Sequence, residues 1–203
     1  GLMERIKRLS PVLTPIALAF AVAVVLLLLA GANPFEAFEL IFRGSLGSKG
    51  KLANTLLAWV PLVLAAAGLV ITFQAGLWNI GVEGQVVLGA IAAAFVAREV
   101  PGPGWLVITI AIAAGFVGGM VWGLMAGALK VYGKVNEIFG GLGLDFVATG
   151  LVVYLVIGPW KRQGVASTSG TDLFRTDLWL PEVSDFSVVA LFVAIVAVIA
   201  VYF

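Results

Sequence analysis

Six long apolar runs, separated by short polar breaks, leave this chain few ways to fold. They cover residues 11–32, 52–73, 77–97, 105–129, 138–157 and 187–203. Each is about 17–25 residues long, and at roughly 1.5 Å per residue a helix of that length crosses a hydrocarbon core of about 30 Å. Backbone in lipid must bond within itself, which admits only helices and closed barrels, and these runs lack the period-2 alternation of a barrel. With 62% hydrophobic and 11% charged residues, and a mean hydropathy of +1.12, the chain has the lipid bilayer as its solvent. The expected fold is all-α: a polytopic transmembrane helical bundle of about six spans, one transmembrane domain over residues 1–203, in the cell membrane.

Charge near the span ends sets an expected orientation. Arg5, Lys7 and Arg8 precede the first run, and Lys130 and Lys134 follow the fourth, so the positive-inside tendency predicts a cytoplasmic N-terminus. Segments 33–51 and 158–185 are then extracytoplasmic. Within the first of these, apolar residues at 35, 38, 41 and 42 fit one face of a short helix lying on the membrane surface. The second, rich in Ser, Thr, Gly and charge, is expected to fold over one mouth of the bundle. The first run is too long for a signal-peptide core of roughly 7–15 residues and reads as a span. The last run stops without a polar anchor, which suggests the first part of a longer membrane protein, or a chain truncated for some other reason.

Several function classes fall away. The net charge of +1 carries no attraction to nucleic acid. There is no cysteine for a thiolate metal site and no histidine for metalloprotease or Ser-His chemistry; no metal site is expected. The run Gly141-Leu-Gly-Leu-Asp145 faintly resembles the glycine-aspartate motif of intramembrane aspartyl proteases, but it carries one residue too many and lacks a second intramembrane aspartate. Gly140, Gly141 and Gly143 are not followed by Gly-Lys-Ser/Thr, so any ATP must be bound by another chain.

Polar groups inside the apolar runs are the candidate functional residues. Asn79, Glu83 and Gln85 share a segment with Gly76, Gly81 and Gly84. Intramembrane polar groups cost free energy unless they face a cavity or a partner. On a regular helix Asn79 and Glu83 share a face while Gln85 lies roughly 200° from Glu83. A break near Gly81 or Gly84 brings all three to one cavity; the alternative is that they only bond neighbouring helices. Asp145 is a further carboxylate, about two turns into its run. Asn136 and Glu137 stand where helix capping is the expected role. Gly115, Gly119, Gly123 and Gly127, with Gly118 beside them, form a ladder expected to pack helices closely.

The 73–85 segment, F-Q-A-G-L-W-N-I-G-V-E-G-Q, closely resembles the F-N-I-G-x-E-G-Q signature of ABC importer permeases for nucleosides and simple sugars, within the group that includes branched-chain amino-acid and ribose permeases. Asn136-Glu137-Ile138 is similar to that family's N-E-V/I. Tyr154 to Trp160 resembles its Y-L-x-x-G-P-W, while Asp145-Phe146 stands where an Asn-Tyr pair is usual. The resemblance implies a transport subunit with no cofactor of its own. Its partners are then a second permease, two cytoplasmic ATPase subunits carrying ATP and Mg, and an extracytoplasmic substrate-binding lipoprotein. Asn79, Glu83, Gln85 and Asp145 are the expected substrate pathway, suited by their amides and carboxylates to a small hydroxylated solute, with nucleosides favoured. Two other readings stay open: an ion- or proton-coupled secondary transporter using Glu83 and Asp145, and a structural membrane subunit.

Overall fold

A computed structural model describes residues 2–164, 170–180, 182–183 and 186–202. Seven helices dominate it: α1 Leu2–Leu29, α2 Pro34–Leu46, α3 Lys49–Gln74, α4 Val82–Glu99, α5 Gly104–Val131, α6 Glu137–Ile157 and α7 Val188–Tyr202. The strands among the described residues are two of two residues each, β1 Glu182–Val183 and β2 Phe186–Ser187, paired antiparallel. The chain is all-α and divides into two compact units, residues 1–56 and 57–203.

In the first unit α1 ends at Gly31, whose φ of +74° is a left-handed conformation suited to glycine. The Ala32 N–H reaches back to Leu27 O at 2.9 Å and closes the turn. Asn33 then caps α2, its Oδ1 accepting from the Phe35 N–H at 3.0 Å, with Pro34 in the first helical position. The paired segments Leu13–Leu29 and Pro34–Leu46 are bent by 110°. Phe38 packs on Phe20, ring centroids 5.9 Å apart, while Phe35, Ile41 and Phe42 stay exposed.

The second unit is built on α4, α5 and α6, which pack against one another. Its core is small: Trp122, Leu144 and Ala148 are buried, with Val87, Leu88 and Ala126 packed on them. Large apolar side chains such as Phe116 (73% exposed) and Phe146 (72% exposed) point outward. Apolar surface on that scale is favourable only where water is absent, so the bilayer supplies the environment that burial supplies in a soluble fold.

Among the described residues three helices are long and apolar enough to span: α3, α5 and α6. The bent pair of α1 and α2 makes a fourth if counted as one span. The run 77–97 departs from the expected six, while the run 187–203 is described only as far as Tyr202. The run 77–97 becomes α4, which starts only at Val82 and whose 18 residues include Glu83, Arg98 and Glu99. The run 187–203 becomes α7, 15 residues long, or about 22 Å of helix; residue 203 lies outside the described residues. Of the segment 158–185, residues 165–169, 181 and 184–185 likewise lie outside them. Its described part folds back on the Glu99 end of α4.

Candidate functional site

The site begins with a helix ending. Gly76 takes a φ of +73°, and its N–H bonds Phe73 O at 3.0 Å while the Leu77 N–H bonds Thr72 O at 2.9 Å. This pair of back-bonds terminates α3 and turns the chain away. Residues 75–81 therefore run outside any helix. Tight local bonds shape them, Asn79 N–H to Leu77 O at 3.1 Å and Ile80 N–H to Trp78 O at 3.0 Å.

That break brings Asn79 back to Gln85 on the first turn of α4. The two side-chain amides bond reciprocally: Asn79 Nδ2 donates to Gln85 Oε1 at 3.4 Å, and Gln85 Nε2 donates to Asn79 Oδ1 at 3.2 Å. Both line a cavity of about 300 Å³ that Thr72, Trp78, Lys130 and Glu137 also line. Each amide carries donors and an acceptor, so the pair can exchange its mutual bonds for those of a polar solute. Lys130 and Glu137 close one side as an ion pair at 3.1 Å, while Asn136 caps α6 by accepting from the Ile138 N–H at 2.9 Å.

The other two expected pathway residues lie elsewhere. Glu83 is exposed and lines no part of this cavity. Asn79 precedes the helix start, so it does not share a helical face with Glu83. The carboxylate sits instead in the first turn of α4, where the helix dipole favours it. Asp145 is half-buried on α6 and also outside the cavity lining; its Oδ1 accepts from the Gly84 N–H at 2.7 Å.

Glycine spacing sets how close α5 comes. A side chain at Gly118 would begin 2.8 Å from Leu88 O and 2.9 Å from Ala92 Cβ, and one at Gly89 would begin 2.9 Å from Gly115 O. Gly119 faces Gln85 O at 3.2 Å and Gly123 faces Gln85 Nε2 at 3.4 Å by the same construction, whereas Gly127 meets nothing within 4 Å. The contact thus follows 115, 118, 119 and 123 and leaves the last expected rung, Gly127, on the cavity wall.

At the other end of α4 the chemistry is different. Arg98 Nη2 donates to Thr171 Oγ1 at 2.7 Å and to Asp172 O at 3.0 Å. Its guanidinium lies 5.3 Å from the Trp160 ring centroid and 4.8 Å from that of Phe174. A cleft of about 310 Å³ opens here, lined by Arg98, Lys161, Asp172 and Arg175 among others. Arg175 donates to Gly102 O at 2.9 Å and pairs with Asp177, whose carboxyl it holds below the usual range. Nothing in the sequence singled Arg98 out, because a cation closing a helix also reads as an interfacial anchor. Trp122, buried with its Nε1–H unpartnered, was equally hidden among apolar residues.

Comparison with known proteins gives consistent findings. Residues 51–203 match the family described as branched-chain amino acid transport system / permease component. The chain is 38% identical over 152 residues to the glucose ABC transporter permease protein TsgB13 of Haloferax volcanii, covering 75% of this chain and 40% of that protein. It is 28% identical over 154 residues to the guanosine ABC transporter permease protein NupP of Bacillus subtilis, covering 74% and 44%. With the nucleoside ABC transporter permease protein NupB of Lactococcus lactis it shares 27% over 204 residues, covering 95% and 56%. The chain spans about half the length of these curated relatives. No solved structure matches it.

Proposed function

The chain belongs to the family of permease components of branched-chain amino acid transport systems, and from that premise we propose that it is part of a membrane-embedded subunit of an ATP-driven importer. It is a multi-pass membrane protein and a transport component rather than an enzyme. The solute is a small hydroxylated molecule, nucleosides ahead of simple sugars; the guanosine, nucleoside and glucose permeases among its relatives support that class. Its partners in this reading are a second permease, two cytoplasmic ATPase subunits holding ATP and Mg, and an extracytoplasmic binding lipoprotein. The N-terminus faces the cytoplasm.

One observation carries the pathway assignment: the Asn79–Gln85 amide pair on the wall of a cavity of about 300 Å³. Neutral amides bind hydroxyls and base edges without the desolvation penalty of a buried charge. When no solute is present the pair takes up one donor and one acceptor of each amide. ATPase dimerisation moves the helices between two packed arrangements, and the solute crosses as they switch. Glu83, on the exposed side of α4, takes no part in this wall.

Uptake of labelled guanosine and labelled glucose by cells carrying the full-length permease tests the assignment. With Asn79→Ala or Gln85→Ala, and membrane expression unchanged, we expect KM for the transported solute to rise about tenfold, as for the loss of one or two hydrogen bonds. Uptake of both solutes identical to the wild type would remove Asn79 and Gln85 from the pathway.

A further inference from the structure

Helix α4 starts at Val82 without a side-chain cap of its own: the preceding residue is Gly81, and no side chain beside it in sequence bonds the first turn. The absence is forced by packing. A side chain at Gly81 would begin 3.0 Å from Gly141 Cα, and one at Gly141 would begin 2.7 Å from Gly81 N. Helix α6 comes so near here that neither position can carry a β-carbon. An ordinary Ser, Thr, Asn or Asp cap at position 81 is therefore excluded.

The missing acceptor arrives from α6 itself. Asp145 stands four residues after Gly141, on the same face of α6. Its Oδ1 takes the Gly84 N–H at 2.7 Å. Gly84 is the third residue of α4, where a local cap would have bonded. A carboxylate at a helix N-terminus gains both a charge-assisted bond and the dipole. On the third side stands α5. A side chain at Gly84 would begin 2.7 Å from Asp145 Oδ1 and also 2.7 Å from Trp122 Nε1, the buried donor without a partner. Carboxylate and indole N–H thus press on one point of the α4 backbone, immediately before Gln85.

We propose that Asp145 is a positioning residue: it caps α4 from the neighbouring helix through the Gly84 N–H, and so holds Gln85 in register with Asn79. This rests on the reading of the amide pair as the pathway wall, and it moves Asp145 from that wall to its support.

Amide hydrogen exchange on the full-length permease in its assembled complex tests the proposal without reference to any solute. Asp145→Ala is expected to speed exchange over residues 82–88 about tenfold, in line with a lost N-cap, with α5 unchanged. Asp145→Asn, which keeps an acceptor oxygen, is expected to restore most of the protection and to restore the KM for labelled guanosine that Asp145→Ala raises. Unchanged exchange in Asp145→Ala overturns the proposal, as does failure of the asparagine variant to restore it. If Asp145→Ala does not assemble, Asp145→Leu serves instead: it fills the same space without an acceptor for the Gly84 N–H, and wild-type exchange there overturns the proposal equally. Faster exchange at 82–88 combined with unaltered uptake in Asn79→Ala would leave the cap standing and remove the pathway reading.

Discussion

The two ends of α4 are held by opposite chemistries. At the Val82 end the contacts are neutral amides, a backbone N–H taken by Asp145, and glycines that let two helices approach closely. At the Glu99 end a single guanidinium reaches a hydroxyl and a backbone carbonyl and lies against two aromatic rings. The Asn79–Gln85 bonds are neutral and interchangeable, so they permit a second arrangement at low cost, while the Asp145 bond to the Gly84 N–H holds the helix start beside them. A cation held by several groups at once permits no such exchange, because each alternative position loses all of them together. The difference leaves the Asn79–Gln85 pair as the exchangeable contact of α4 and puts its multiply bonded cation at the Glu99 end.

Close packing should produce the largest effect. Gly118→Leu inserts a side chain where a β-carbon alone would already sit 2.8 Å from Leu88 O. Overpacking of this kind costs about 1–3 kcal/mol or more, and here it pries α5 from α4. Thermal unfolding in detergent should show a clearly lower midpoint, and transport should be lost. Gly127→Ala is the control, since nothing lies within 4 Å of it; its midpoint and uptake should match the wild type. Equal damage from both would mean that the ladder packs over its whole length.

The Glu99 end should respond next. Arg98→Ala removes two charge-assisted hydrogen bonds and two ring contacts, at a cost of about 2 kcal/mol given the half-buried setting. The segment 170–180 should then become sensitive to limited proteolysis while guanosine KM stays unchanged. Arg98→Lys should recover less than half of the loss, because an ammonium cannot reproduce the planar fork. A changed KM would break the contrast between the two ends.

How far these regions were legible in the sequence depends on what hydropathy can register. The runs 105–129 and 138–157 appear as α5 Gly104–Val131 and α6 Glu137–Ile157, because continuous apolar stretches have no competing structure in lipid even where they contain several glycines. The run 77–97 misled because apolarity measures composition and not continuity. Gly76 in a left-handed conformation ends α3 and leaves five residues of the run, 77–81, outside any helix. The polar residues of the 79–85 segment drew notice, and their spacing allowed a shared cavity only if the helix broke. The side each one faces was fixed by where α4 restarts, which no periodicity reveals. The contacts of Arg98 with Thr171 and Asp172 join residues more than 70 positions apart, and such pairings leave no trace in local sequence.

The smallest expected effect concerns the local ion pair of Arg175, the residue that joins the segment 170–180 to the α4–α5 connection. Arg175 bonds both carboxylate oxygens of Asp177, at 3.0 and 2.5 Å, and reaches Gly102 O as well. Its hydrogen bonds, and after them its charge, lower the Asp177 pKa in the folded chain below the ordinary 3.8. A depressed carboxyl pKa means that the ionised form is bound more tightly in the folded state, so the contribution is complete above the unfolded value of about 4. It is lost as the pH falls from there through the folded value. Both side chains are about half exposed (48% each), so screening keeps the effect small. The protection of residues 170–180 against hydrogen exchange, taken relative to intrinsic rates, should fall as the pH drops below about 4 in the wild type. In Asp177→Asn that step should be absent, and at pH 7 the variant should differ little from the wild type. A step of equal size in both proteins would take the acid response away from Asp177 and its bonds to Arg175.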